Sequence, residues 1–263
     1  MSIRGSKTKT LSILSPVPRL TRALSFILAL ALLGGLCAGA FALLDYHWAW
    51  QPVRNYWRLF LDGWIATLAI SGLALPLSCI IGLTFALARR SSLLPLRDFA
   101  RIYVELTRGT PLLVQLYFYW YIFGQALSRD FRFLAGALIL SLFSAAYISE
   151  IIRAGIESVG ASQLESARAI GFTRAQTYRY VIFPQALRQS LPPLAGQFAS
   201  IIKDSSLLSV LGIAEFSLAA SQVNAFTYSA FESYVPVILG YLILTLPISL
   251  WTQSLETRAR FET

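Results

Sequence analysis

Three ionisable residues, Glu150, Lys203 and Asp204, lie within stretches of the chain that are otherwise apolar. Placing such a side chain inside a bilayer costs about 3 kcal/mol on insertion scales, so these residues mark a transport pathway or a buried ion pair. Lys203 and Asp204 are adjacent and point about 100° apart on a helix, so they do not neutralise each other side by side. Two interpretations stay open. Either the charges snorkel or pair with another helix, for example through Glu150, or Asp204-Ser205-Ser206 breaks the helix and caps a second half-helix.

A second candidate segment is Arg108-Gly109-Thr110-Pro111. Its glycine and proline can end a surface helix and begin a membrane span. The segment is therefore interpreted either as a plain helix junction or as part of a gate.

Other kinds of site are excluded by their missing motifs. The sequence has no G-x-x-x-x-G-K-[ST] phosphate loop and no Gly-Lys pair, so it does not bind ATP in that way. It also lacks a nucleophile elbow, an H-E-x-x-H motif and a pair of intramembrane aspartates, which leaves little for an intramembrane hydrolase. Its one histidine, His47, rules out a multi-histidine metal site, and Cys37 and Cys79 lie in apolar runs. We expect no metal and no cofactor in this chain.

Composition places the chain in a membrane. Hydrophobic residues make up 56% of it and charged residues 13%, against about 45–50% and about 25% in soluble domains. A net charge of +9 would suggest nucleic-acid binding in a soluble protein. Here an excess of Lys and Arg in cytoplasmic loops explains the positive charge better. We therefore expect the lipid bilayer as a partner and no nucleic acid.

Six apolar stretches predict an all-α, polytopic membrane protein with about six transmembrane helices. They are 23–44, 63–88, 111–127, 133–152, 194–213 and 234–251. Pro76 should kink the second span, and the third could extend back through Tyr103.

The segments between these spans are predicted to be loops. Residues 45–62 form a short aromatic loop at the membrane interface, 128–132 a tight external turn and 215–233 a polar external loop. Residues 1–22 form a basic tail, and 23–44 an additional N-terminal transmembrane helix, with a signal peptide as the alternative because Ala38-Gly39-Ala40 resembles a cleavage site.

The distribution of positive charge predicts the topology. Lys and Arg number 17 in the N-terminal tail, residues 89–108, residues 153–193 and the C-terminal tail, against 4 in the predicted external loops. Because positive residues concentrate in cytoplasmic loops, both termini and the polar stretch between the fourth and fifth spans are expected in the cytoplasm.

That polar stretch, Ser162–Pro193, has signals of a compact folded element. Ser162-x-x-Glu165 is typical of a capping box, which satisfies free amides at a helix start. Gly171 follows one helical run and stands where a left-handed cap is expected.

A second helix is predicted directly afterwards. Thr173-x-x-Gln176 repeats the capping box, and Pro184 should end this helix. Two short helices joined at a glycine and presented at a membrane surface suggest a docking element.

The loop resembles that of the membrane-spanning subunits of ABC importers for polar amino acids, the histidine, glutamate, glutamine, arginine and opine group. Their loop pattern is Glu-Ala-Ala, three residues, Gly, nine to thirteen residues and Pro. The matching residues here are Glu165, Ser166, Ala167, Gly171 and Pro184. Five further segments are similar: Tyr103–Gln115, Ala146–Ile156, Pro184–Ala186, Pro192–Pro193 and Lys203–Leu207. The second alanine position is Ser166, and Ser162 stands where the family usually has Gly.

The resemblance covers roughly Gly63–Arg258, so 63–258 is predicted to be the importer transmembrane domain, with 153–193 as its coupling loop. It implies a bacterial inner-membrane permease for a polar amino acid, with an opine or another amine-bearing solute as the alternative. It also implies three partners: a cytoplasmic ABC ATPase dimer that carries ATP and Mg²⁺, a second permease of the same or a homologous chain, and an extracytoplasmic solute-binding protein.

In this family the loop transmits ATPase movement to the permease, so the resemblance assigns coupling to the five loop residues. The candidates for a pathway or gate are Arg108, Thr110, Pro111, Gln115, Glu150, Lys203, Asp204 and Ser205. An interpretation of another class also stays open, an ATP-independent channel or carrier whose ion path uses Glu150 and Lys203.

Overall fold

The computed structural model describes residues 19–44, 46–124 and 131–260. The chain divides into two compact units, residues 1–48 and 49–263. In the first unit, helix α1 (Arg19–Ala42) contains most of the predicted N-terminal span. The basic tail up to residue 18 lies outside the described residues, as do Asp45 and most of the predicted turn at 128–132.

The described residues of the second unit are helical and contain no β-strand. The helices are α2 (Trp50–Arg54), α3 (Trp57–Ala88), α4 (Leu94–Gly109), α5 (Leu112–Tyr119), α6 (Arg132–Glu157), α7 (Ala161–Ala169), α8 (Arg174–Thr177), α9 (Phe183–Asp204), α10 (Phe216–Thr227) and α11 (Ala230–Arg260). The α5 helix continues into a π turn at Trp120–Gly124, α8 into a π turn at Tyr178–Ile182, and α9 into a 3₁₀ segment at Ser205–Leu211.

The centre of this unit is the contact between α3 and α6, which small residues make close. A Cβ atom on Gly82 of α3 would lie 2.7 Å from Ile148 Cγ2 and 2.9 Å from the Ala145 carbonyl oxygen of α6. Nearby, Ser141 Oγ donates hydrogen bonds to the carbonyl oxygens of Ala137 (2.6 Å) and Ala74 (3.3 Å). Close backbone approach and interhelical hydrogen bonds are what hold helices together in lipid, where the hydrophobic effect is absent.

Among the described residues, four helices are long and apolar enough to cross a membrane: Leu24–Ala42, Trp57–Ala88, Arg132–Glu157 and Ala230–Thr257. A fifth results if the bent pair Arg174–Leu211 and Phe216–Thr227 is counted as one broken span. The helix in the third predicted span reaches the last described residue before the gap, so the total of six stays a prediction.

The predicted extension of the third span through Tyr103 is wrong. Tyr103 belongs to α4, a separate helix, and Thr110 between α4 and α5 is extended, with ψ of 149°. The Tyr103 hydroxyl donates a hydrogen bond to the carbonyl oxygen of Leu142 in α6. Burial raises the pKa of this hydroxyl, which therefore remains a donor at neutral pH.

The predicted polar external loop at 215–233 is also wrong, because residues Phe216–Thr227 form α10. Its small apolar side packs on α3, where a Cβ atom on Gly63 would lie 2.9 Å from Ala219 Cβ. The polar residues Ser217, Ser221 and Asn224, which suggested a loop, are interspersed along this helix. Likewise, residues 50–54 and 57–62 of the predicted aromatic loop are helical.

The helix that contains the predicted fifth span is longer than that span. A continuous helical rod runs from Arg174 to Leu211, so the helix itself begins well before Leu194. The predicted break at Asp204-Ser205-Ser206 is a change to 3₁₀ geometry in which the Asp204 side chain makes no cap. The chain turns later, at Gly212 (φ +70°), and α10 then leaves at 46°. The predicted second half-helix is α10, and Glu215 caps it instead of Asp204.

Candidate coupling site

The hairpin formed by residues 161–182 is polar and largely exposed, and it follows α6 after a short connection. Its first helix, α7, starts at Ala161 and has Gly160 at its N-cap, with no side-chain capping bond. The predicted capping box of Ser162 and Glu165 is therefore wrong. Ser162 is already the second helical residue, so its backbone lacks the extended geometry that an N-cap serine needs. Its carbonyl oxygen instead accepts from Ser166 Oγ at 2.9 Å.

The end of α7 is a Schellman motif, as the position of Gly171 predicts. Gly171 has φ of +81°. Its N–H donates to the Arg168 carbonyl oxygen at 3.0 Å, and the next N–H, of Phe172, donates to the Ala167 carbonyl oxygen at 3.0 Å. This pair of bonds satisfies the last carbonyls of α7 and fixes the turn of the hairpin.

The start of α8 confirms the second capping box. Thr173 Oγ1 accepts from the Gln176 N–H at 3.3 Å, and the Thr173 N–H donates to Gln176 Oε1 at 2.8 Å. Both bonds are local to four residues, which is why the sequence alone could predict them.

Pro184 does not end the second helix, contrary to the prediction. It lies in the first turn of α9, and the chain passes through it without a break. Proline lacks the N–H that an α-helix interior would use. The π turn at Tyr178–Ile182 immediately before it changes the bonding pattern, so the helix continues despite the missing donor.

One side of the hairpin packs against the body while the other is free. Val159, Ile182 and Ala186 form a small buried cluster, with Leu164 of α7 packed against it. Of the five loop residues, Ala167 is buried, whereas Glu165, Ser166, Gly171 and Pro184 are exposed. The motif residues thus present a surface that other parts of the described chain leave open.

The hairpin is joined to the membrane helices by a close contact between α6 and α9. A Cβ atom on Gly155 would lie 2.8 Å from the Ala186 carbonyl oxygen and would clash with Ser190 Oγ. Ser190 Oγ donates to the Ile151 carbonyl oxygen at 3.4 Å. Gly155 therefore allows the two helices that enter and leave the hairpin to contact each other closely, a role that the sequence did not assign to it.

Behind the hairpin, Glu150 is surrounded by three arginines. Its Oε2 atom lies 2.5 Å from Arg89 Nη1 and 3.6 Å from Arg108 Nη1. Its Oε1 atom pairs with Arg153, which also pairs with Glu157. One carboxylate thus joins α3, α4 and α6. The interpretation in which Lys203 forms an ion pair with Glu150 is wrong, because the partners of this carboxylate are Arg89, Arg108 and Arg153.

Arg108 also borders a cavity of about 340 Å³ between α6 and α9. Its guanidinium stacks over the Tyr147 ring at 5.6 Å, a favourable cation–π arrangement. Gln189 and Pro193 line the opposite wall.

The segment from Arg108 to Pro111 is a helix junction that Gln115 holds in place. Gln115 Nε2 lies 2.7 Å from the Thr107 carbonyl oxygen, 2.7 Å from Thr110 Oγ1 and 3.1 Å from the Thr110 carbonyl oxygen. Pro111 precedes the first residue of α5. These contacts satisfy two of the free carbonyls at the end of α4.

Lys203, Asp204 and Ser205 stand together at the end of α9, apart from these contacts. Lys203 is exposed and Asp204 half-buried, while Ser205 is buried and donates to the Ile202 carbonyl oxygen at 2.7 Å. In the described residues, no hydrogen bond or ion pair connects these three side chains to Glu150 or Gln115. The structure therefore brings together Arg108 with Glu150 and Thr110 with Gln115, but not the eight candidates as one site.

Sequence reasoning missed two fully buried carboxyl groups, Glu215 and Glu232. Glu215 caps α10, accepting from the N–H groups of Leu218 (2.6 Å) and Ser217 (2.9 Å) and from the Tyr241 hydroxyl (3.0 Å). Glu232 accepts from the N–H of Ala49. An acidic residue just after Gly212 and before an apolar run was the signal for the first of these caps.

No three His, Cys, Asp or Glu side chains gather around a possible metal position in the described ranges.

Residues 74–261 match the family described as the binding-protein-dependent transport system inner membrane component. The glutamine transport system permease protein GlnP of Escherichia coli is 36% identical over 214 residues, 80% of this chain and 97% of that protein. The L-cystine transport system permease protein TcyB of Bacillus subtilis is 37% identical over 211 residues, 80% of this chain and 90% of that protein. A crystal structure of an amino acid ABC transporter with histidines matches with a TM-score of 0.74 and 38% identity, over 81% of this chain and 100% of that one.

Proposed function

This chain belongs to the family of binding-protein-dependent transport system inner membrane components, and we propose that it carries a polar amino acid as the permease of an ABC importer. It is a multi-pass membrane subunit, and ATP hydrolysis belongs to a separate ATPase chain. The observation that carries the proposal is the hairpin, a capped and exposed element anchored to two long helices. An ATP-independent channel would have no use for such an element.

The hairpin acts as the docking element for the ATPase dimer. Glu165, Ser166 and Gly171 are exposed, while the Gly155 contact ties the hairpin to α6 and α9. Movement of the ATPase subunits would therefore displace both helices as one body. Because α9 continues to the half-helix α10, that displacement reaches the opposite end of the bundle.

A second permease, either another copy or a homologous chain, completes the pathway. Two such bundles rock between outward-facing and inward-facing states, and a solute-binding protein delivers the amino acid. The end of α9 is our candidate for the path itself, because charged side chains within a membrane span mark a pathway by default. Lys203 and Asp204 stand at this end as charged groups that would suit an amino acid zwitterion.

The substrate class rests on the relatives. One is named for glutamine and another for L-cystine, so similar chains serve amino acids with different side chains. We therefore place an amino acid ahead of an opine, and we place both termini in the cytoplasm on the distribution of Lys and Arg.

Reconstitution tests this function. The chain is expressed with its ATPase and binding protein, purified through a tag on the permease and placed in liposomes. We expect the ATPase to co-purify, and ATP inside the liposomes to drive uptake of one or a few of the twenty amino acids. Uptake that proceeds equally without the ATPase would contradict the proposal, and competition by an opine alone would change the substrate class.

A further inference from the structure

A second cavity, of about 480 Å³, lies between the hairpin and the end of α3. Its lining contains three arginines and no acidic residue. The lining residues are Arg90, Leu164, Arg168, Phe172, Arg174, Thr177, Tyr178 and Ile182. It is separate from the Glu150 cluster and from the cavity beside Arg108.

The charge of these arginines is not neutralised within the described chain. Arg89, Arg108 and Arg153 all pair with Glu150. In contrast, none of Arg90, Arg168 and Arg174 takes part in an ion pair among the described residues. Arg90 Nη2 instead donates to the Tyr178 hydroxyl at 3.2 Å, which holds its guanidinium at the cavity.

The position of the cavity restricts what can fill it. Arg90 is the second residue after α3, a helix long and apolar enough to cross a membrane, so we place the cavity near the membrane–water boundary, where lipid phosphates are found. Its floor is apolar, with Leu164 and Phe172 half-buried and Ile182 buried. A cationic rim over an apolar floor suits an amphiphile with an anionic head.

We propose that this cavity binds the phosphate-bearing headgroup of an anionic phospholipid. Guanidinium groups bind phosphate oxygens through paired, charge-assisted hydrogen bonds, and basic pockets at membrane level bind anionic headgroups. Inorganic phosphate shares this chemistry but would leave the apolar floor uncovered. The lipid would hold the hairpin against the end of α3. This role of the lipid does not depend on the solute that the protein carries.

Lipid titration of the purified full-length chain in detergent, followed by native mass spectrometry, tests the proposal. The probes are dioctanoyl phosphatidylglycerol, phosphatidylcholine of the same chain length, and inorganic phosphate. We expect one phosphatidylglycerol to bind more tightly than phosphatidylcholine. Arg168→Gln and Arg174→Gln should each raise its Kd about fivefold, and together about 25-fold, because each arginine near a membrane surface contributes that much.

Arg179→Gln is the matched control. Arg179 is exposed and lies in the same hairpin, but it does not line the cavity, so its removal should leave the Kd unchanged. An unchanged Kd in the double variant, or an equal loss in the control, overturns the site. Inorganic phosphate that competes at equal affinity overturns the lipid assignment. Loss of phosphatidylglycerol when the ATPase is added also overturns it, because the arginines would then serve docking.

Discussion

Arg89 and Glu150 are 61 positions apart in the chain, and their side chains meet at 2.5 Å. Arg89 directly follows α3, and Glu150 lies about two turns before the end of α6. The ion pair therefore lies at one end of the contact between α3 and α6. Arg108 and Arg153 approach the same carboxylate. The negative charge of Glu150 is thus what allows three arginines to share this corner of the bundle.

Glu150→Gln should destabilise the protein, because it leaves three guanidinium groups facing each other. Removing one partner of a fully buried pair costs about 3–5 kcal/mol. The Glu150 side chain is 21% exposed, and solvent screening reduces the cost to about 2 kcal/mol. Denaturation in mixed detergent micelles measures this loss.

Glu105→Gln is the control for that variant. Glu105 also pairs with an arginine, Arg101, at 2.7 Å, but both side chains are more than half exposed. Its removal should leave the unfolding midpoint where it was. If Glu150→Gln behaves like this control, the cluster does not hold the three helices together.

Gly155→Ala should separate α6 from α9 where they enter and leave the hairpin. The new methyl group would lie 2.8 Å from the Ala186 carbonyl oxygen and against Ser190 Oγ. Such overpacking costs about 1–3 kcal/mol. We expect lower stability in detergent and a loss of ATP-driven uptake larger than the loss of membrane-inserted protein.

A glycine in α9 provides the comparison. In the part of the chain that the structure describes, no atom lies within 4 Å of a Cβ atom on Gly196. Gly196→Ala should therefore keep or raise stability, since alanine favours a helix by about 1 kcal/mol over glycine. Equal effects at both positions would show that helix propensity, not the contact between α6 and α9, explains the result.

Glu215 and Tyr241 should be energetically coupled, because the Tyr241 hydroxyl donates to the carboxylate that caps α10. Glu215→Ala removes this cap and its bonds to Ser217 and Leu218, at a cost of about 2 kcal/mol. Tyr241→Phe should cost about 1 kcal/mol. A double-mutant cycle measured by detergent denaturation should give a coupling of about 0.5 kcal/mol or more.

Asp62→Ala is the reference for the loss of an acid in this part of the chain, because Asp62 is exposed on α3. It should not affect stability measurably. Strict additivity of the Glu215 and Tyr241 variants would mean that their hydrogen bond does not stabilise the half-helix.

Features that depend on a few neighbouring residues were predictable from the sequence. Gly171 and Thr173 terminate and start helices by bonds that span four to six residues, and both were placed correctly. The prediction that Ser162 caps a helix was wrong, although its sequence pattern fits a capping box. Gly160 supplies the extended backbone, and the helix starts before the serine. The prediction that Pro184 ends a helix was wrong because a π turn, which has no sequence signature, precedes it.

Features that depend on tertiary packing were not predictable. The partners of Glu150 lie on three helices, and their meeting follows from the close approach of α3 and α6 at Gly82. The serines and the asparagine of α10 are typical of a loop, although the segment is a helix. Its contacts with α3 at Gly63 and with α11 at Gly240 show which side of this helix is buried.

Gly171→Val should uncouple transport from ATP hydrolysis. Gly171 has φ of +81°, and no atom of the described residues lies within 4 Å of a Cβ atom there, so any effect that arises within this chain comes from the backbone. A β-branched residue in this region costs about 1–2 kcal/mol and moves the turn. The hairpin then meets the ATPase at another angle, and uptake per hydrolysed ATP should fall severalfold in liposomes while membrane levels stay normal. Gly171→Asn, which tolerates positive φ, should retain coupling. Normal uptake by Gly171→Val would exclude this turn as the coupling element.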